Sequence, residues 1–116
     1  MKAHNFRQLN IWKESMILVK MVYGLTSQLP DKEKFGLVSQ INRCAVSVPS
    51  NIAEGSGRTT AKDFSRFLTI SISSSYELET QLLIIEDIYT IEITEALHRL
   101  KDIQNMIGGF KRNIMN

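Results

Sequence analysis

The chain has 116 residues, 43% of them hydrophobic and 22% charged, the balance of a folded domain rather than of a disordered tail. Six glycines and two prolines exclude a low-complexity linker, the single cysteine excludes an internal disulfide, and no apolar run approaches the roughly 20 residues that cross a bilayer. Fourteen basic against twelve acidic residues leave a net charge of +2, which permits an anionic partner without requiring one.

From Leu9 the apolar positions Leu9, Trp12, Met16, Val19, Tyr23 and Thr26 fall in steps of three and four, which predicts a first helix with that stripe facing the core and Asn10 as its N-cap. After Pro30-Asp31 the same spacing returns at Val38, Ile41, Ala45, Val48 and Ile52, a second helix. It contains Pro49, which has no N–H to give the Ala45 carbonyl; a bend is expected there, with Ser47, Ser50 or water as the substitute donor. Glu54-Gly55-Ser56-Gly57-Arg58 reads as the loop that ends this helix.

Thr60 and Asp63 have capping-box spacing and open a third helix through Phe64, Phe67, Ser71, Ser75, Leu78, Leu82 and Ile85. Its serines are small enough to admit a neighbouring helix closely. The pattern loses phase at Thr90-Ile91, and Leu97, Leu100, Ile103, Ile107 and Phe110 define a fourth helix whose last turns Gly108-Gly109 weaken.

Connections this short make successive helices antiparallel. The expected fold is all-α, an up-down-up-down four-helix bundle spanning residues 1–116 as one domain, some 30 Å long for helices of about 20 residues. Ile70, Ile84 and Ile88 form a second apolar line on helix three, which either meets another subunit or widens the core-facing stripe. Met1-Lys2-Ala3-His4-Asn5 leads into no apolar signal segment, so a cytoplasmic location without membrane association is expected.

The search for chemistry returns little. His4 and His98 have no Cys or His at metal-ligand spacing, Cys44 sits beside Ala45 in an apolar run, and Gly55-Ser56-Gly57 follows no strand and lacks the P-loop ending. No catalytic residue, cofactor or metal is expected. Helix two does carry one polar face, Gln40, Arg43, Ser47, Asn51 and Glu54. A turn centred on Arg58 would bring Arg43 near Ser74 and Glu77, and Asn51 near Arg66, making a buried Arg43 to Glu77 pair reasonable. That face is either a binding site or a polar network that fixes register between helices.

The segment Gln40-Ile41-Asn42-Arg43-Cys44-Ala45-Val46-Ser47-Val48-Pro49-Ser50-Asn51-Ile52-Ala53-Glu54-Gly55-Ser56-Gly57-Arg58 resembles the signature of bacterial four-helix bundle proteins encoded in intervening sequences of 23S ribosomal RNA genes. Leu9 to Lys13, Phe64 to Leu68 and Tyr76 to Leu82 match as well, Cys44 stands where that family usually has Ala, and helix four matches loosely. The resemblance implies a ring-like homopentamer without enzymatic activity. It also implies kinship with the accessory proteins of diversity-generating retroelements, which are similar in fold, bind nucleic acid and engage a reverse transcriptase.

In such a bundle the start of helix one, the turn between helices two and three and the end of helix four share one end. There Lys2, Arg7, Lys13, Arg58, Lys62, Arg66, Lys111 and Arg112 oppose Glu14, Glu54 and Asp63, a formal +5. At the other end Lys32 and Lys34 oppose Asp31, Glu33, Glu86, Asp87, Glu92 and Glu95, a formal −4. Two functions fit: an oligomer that binds RNA or DNA without sequence preference, centred on Lys13, Arg58, Lys62 and Arg66, or a scaffold docking a protein partner. Aromatic residues are not interleaved with the basic ones, which argues against base stacking.

Overall fold

The computed structural model describes residues 3–116. Four helices follow one another: α1 (Asn10–Thr26), α2 (Leu37–Ser56), α3 (Ala61–Tyr89) and α4 (Thr94–Met115), with short 3-10 turns at Phe6–Gln8 and Asp31–Glu33. No strand occurs among the described residues. Each helix packs on its neighbours in sequence and α4 closes on α1, while α1 does not touch α3 nor α2 touch α4. This is the antiparallel bundle expected from the sequence, with α1 and α3 on one diagonal. The core runs the length of the bundle through Leu18, Ile41, Ile52, Phe64, Leu68, Leu78, Leu82, Leu100, Ile103 and Ile107, all fully buried.

α1 presents a different face from the predicted one. Its buried residues are Ile11, Ser15, Leu18, Val22 and Thr26, whereas Met16 and Tyr23 are exposed and Trp12 and Val19 half-buried. Both series have helical spacing; Ser15 disguises the true one. Its hydroxyl donates to the Ile11 carbonyl at 2.6 Å, so a polar side chain reaches the core already satisfied. Thr26 is served likewise by Asn42 Oδ1 on α2, 2.9 Å away. Asn10 is the first residue inside the helix, and the capping position falls to Leu9, with no side-chain cap.

α2 continues through Pro49 to Ser56, and Pro49 is buried. The Ser47 hydroxyl, one of three donors offered for the Ala45 carbonyl, is engaged with Ser74 on α3 at 2.8 Å. Ser71 donates across the same interface to the Val48 carbonyl, also 2.8 Å. Gly55, predicted as loop, is helical and buried. A Cβ there would lie 2.8 Å from both Phe64 Cδ1 and Phe67 Cβ, so the residue is glycine because α3 passes at backbone distance. The pairs Ser47–Ser74 and Val48–Ser71 centre the α2–α3 register on Thr60, later than the Arg58 expected.

Thr60 caps α3 as predicted, its hydroxyl accepting from the Asp63 N–H at 3.1 Å. The helix then runs 29 residues, which makes the bundle 46 Å long instead of about 30. Phe67 is half-buried rather than core, and Gln81 is buried. Ile70, Ile84 and Ile88 remain 40, 39 and 61% exposed, so the chain's own core does not cover that second apolar line. α3 stops at Thr90, whose left-handed backbone (φ 56°) lets its N–H return to the Glu86 carbonyl. Glu92 accepts from the Thr94 N–H at 2.9 Å to start α4, which passes through Gly108 and Gly109 unbroken.

Candidate nucleic-acid interface

At the α2–α3 end the N-terminal segment folds back onto the bundle. The His4 N–H donates to the Ser56 carbonyl at 3.0 Å, and its ring packs edge-on against Phe64 and Phe110 at 5.4 and 5.7 Å. The starts of α1 and α3 and the ends of α2 and α4 thus share one end, as the charge map requires. Lys2 of that map lies outside the described residues.

The predicted basic residues separate into two places. Arg58 leaves the end of α2 and Arg66 rises from the second turn of α3; their guanidinium carbons lie 4.6 and 4.7 Å from the centre of the Phe67 ring. Asp63 lies between the two arginines. Its Oδ1 accepts from Arg66 Nη2 at 2.9 Å and Nε at 3.2 Å, and its Oδ2 is 3.8 Å from Arg58 Nε. Glu54 reaches Arg58 Nη2 at 3.4 Å from the last turn of α2. Lys62 is exposed on the same turn and makes no ion pair among the described residues. An open depression of about 510 Å³ is lined by Thr59, Thr60, Lys62, Asp63, Ser65 and Arg66. Lys13 is exposed on α1, diagonally across the bundle from α3, and stands apart from this group.

Phe67 is the member that sequence reading missed. Its place in the apolar stripe disguised it; the available signal was an aromatic one position after Arg66 in the helix that Arg58 leads into. The exposed ion pairs are individually weak, about 0 to 1 kcal/mol each, and an exposed cation–π contact is worth about 0.5 to 1 kcal/mol, so the ring and the carboxylates together hold the guanidiniums in place.

The polar face of α2 is only partly assembled. Asn51 Nδ2 donates to the Ser47 carbonyl at 2.8 Å and to Ser47 Oγ at 2.9 Å, and Ser47 meets Ser74, a relay that ties α2 to α3. Gln40 and Arg43 are exposed, and Glu54 turns to Arg58 instead. The buried Arg43 to Glu77 pair does not form: both residues are exposed, and Glu77 accepts from Gln81 Nε2 at 3.5 Å. The register itself still sets Arg43 level with Glu77, but both side chains stay on the solvent side of the seam. Glu77 also acts on Cys44: burial followed by the Glu77 carboxylate pushes that thiol up to about 11, away from any nucleophilic role at neutral pH. Asn51 turns back along its own helix rather than toward Arg66.

An apolar groove of about 300 Å³ runs between α1 and α2, lined by Trp12, Met16, Val19, Val46, Pro49, Ser50 and Ala53. It contains much of the α1 stripe that the core leaves outside. Among the described residues no group of three or more His, Cys, Asp and Glu side chains is placed to hold a metal ion, and no helix is long and apolar enough to cross a membrane.

The family model for the 23S rRNA-intervening sequence protein matches residues 7–109, spanning all of α1, α2 and α3 and most of α4. The chain belongs to that family. No curated protein matches it. Arg58, Lys62, Arg66 and Phe67 lie within the matched range, so the 23S rRNA-intervening sequence family match covers the whole arginine–phenylalanine group together with the signature segment that packs beneath it.

Proposed function

We propose that the protein is a non-catalytic, cytoplasmic homo-oligomer, most simply a pentameric ring, that binds RNA or DNA without sequence preference through its α2–α3 end. The observation that carries this reading is the pair of guanidiniums placed on Phe67 beside an exposed Lys62 that makes no ion pair among the described residues. Three cations gathered around the α2–α3 turn suit the regular spacing of backbone phosphates and offer nothing to read base edges. The Phe67 ring is engaged by two guanidiniums rather than free for bases, which favours phosphate over stacking. In a cyclic oligomer every subunit points the same way, so these turns would line one face. The exposed isoleucines of α3 and the α1–α2 groove supply apolar surface for the subunit contacts. Through the shared signature segment we extend the proposal to kinship with retroelement accessory proteins.

The test is the Lys62→Glu, Arg66→Glu double variant, checked by light scattering for the parent's mass and then titrated with labelled single-stranded and duplex RNA and DNA. Binding at least tenfold weaker than the parent's is expected; equal binding overturns the assignment. Should the parent fail to bind at low salt, a scaffold docking a protein such as a reverse transcriptase becomes the better reading, on the strength of the apolar groove.

A further inference from the structure

We infer that Asp63 is a built-in competitor of phosphate, a residue that holds the affinity of the α2–α3 end down. The inference rests on the nucleic-acid reading above and adds a determinant of its strength.

Asp63 has two separable roles. Its backbone N–H donates to the Thr60 hydroxyl and so starts α3, a contact that does not involve the carboxylate. The carboxylate itself lines the depression and occupies the donors a phosphate would need: Arg66 Nε and Nη2 at 3.2 and 2.9 Å, with Arg58 Nε at 3.8 Å. It is about one-third exposed, near enough to solvent to be displaced and close enough to both guanidiniums to screen them. An arriving phosphate must either push this carboxylate aside or bind against its charge. Glu54 competes only for Arg58, from 3.4 Å and with a side chain 60% exposed.

Removing the charge does not release the arginines. Both guanidiniums lie over Phe67, at 4.6 and 4.7 Å, and that contact is independent of Asp63. Neutralising Asp63 therefore leaves two placed cations whose donors face at most a neutral acceptor, an arrangement organised for an anion. Were the carboxylate the group that positions them, the same change would weaken binding instead.

The experiment compares the full chain with Asp63→Asn and with Asp87→Asn, an exposed carboxylate at the opposite end that changes net charge equally. Each protein is titrated with a labelled generic single-stranded RNA between 50 and 200 mM salt, after a thermal melt establishes that it is folded. We expect Asp63→Asn alone to bind more tightly, with its advantage over the parent shrinking about two- to threefold across that salt range, the signature of one added phosphate contact on a single strand. Equal or weaker binding by Asp63→Asn overturns the inference and leaves the basic-end reading standing. Equal gains in both variants also overturn it, because net charge then accounts for the effect. No binding by any of the three proteins overturns both.

Discussion

Replacing Gly55 by Ala sets two effects of the same chain position against each other. In a helix interior, alanine is favoured over glycine by about 1 kcal/mol because it has less backbone freedom to lose. At Gly55 the new methyl would meet Phe64 Cδ1 and Phe67 Cβ at 2.8 Å and Phe64 Cε1 at 3.2 Å, contacts with a fully buried ring and a helix-borne Cβ that cannot swing away. Forcing a methylene into such a site costs about 1 to 3 kcal/mol. Set against that gain, the clash leaves a net loss of up to about 2 kcal/mol, which for a chain of this size lowers the melting midpoint by up to about 8 °C. Gly24 supplies the internal control, since it lies in α1 and a methyl added there would have nothing within 4 Å. Gly24→Ala should stabilise by about 0.5 to 1 kcal/mol. Circular-dichroism melts of the two variants beside the parent give the comparison directly. A midpoint for Gly55→Ala equal to or above the parent's would refute the reasoning, because α3 would then not pass α2 at backbone distance.

Thr90 holds a left-handed conformation that a β-branched residue adopts at a cost, so Thr90→Gly should raise stability by about 1 kcal/mol in chemical denaturation; a loss would show that its side chain contributes more than its backbone costs. Arg43→Ala should change stability by less than about 0.5 kcal/mol, since Arg43 is exposed and makes no ion pair among the described residues, and a loss of about 3 kcal/mol would restore the buried pair with Glu77. Cys44 ionises in the unfolded chain near its ordinary 9.0 but only near about 11 when folded. Its contribution to stability is therefore intact below about pH 9 and lost as pH rises from there toward 11. Alkylation of the native protein should follow a midpoint well above 9, whereas a midpoint of about 8.5 would mean that Cys44 is neither buried nor beside Glu77.

The helices were legible because each carries apolar residues at helical spacing, and their antiparallel order followed from short connections. What periodicity could not settle was which of two adjacent stripes on α1 faces inward, since Ser15 and Thr26 hide the core face by satisfying their hydroxyls locally or across to Asn42. The turn was misplaced for a related reason. Glycine marks both loops and close helix contacts, and Gly55 serves the second, which carries α2 onward and moves every α2–α3 pairing toward later α3 residues. Arg43 and Glu77 stay level across that seam, yet both side chains remain in solvent, which spacing alone could not show. The gathering of basic residues at one end was readable from topology and charge alone. The division between Lys13 and the Arg58, Lys62, Arg66 group needed the helix order around the bundle, and the role of Phe67 needed the distances.

The salt dependence of nucleic-acid binding by the parent protein tests the basic-end proposal most directly. Affinity for a generic single-stranded RNA, measured by fluorescence anisotropy from 50 to 200 mM salt, should fall linearly on logarithmic axes with a slope of about −1.4 or steeper, as two or three cations per engaged turn displace counterions, and RNAs of unrelated sequence should give the same line. A slope near zero, or no binding at the lowest salt, would contradict it.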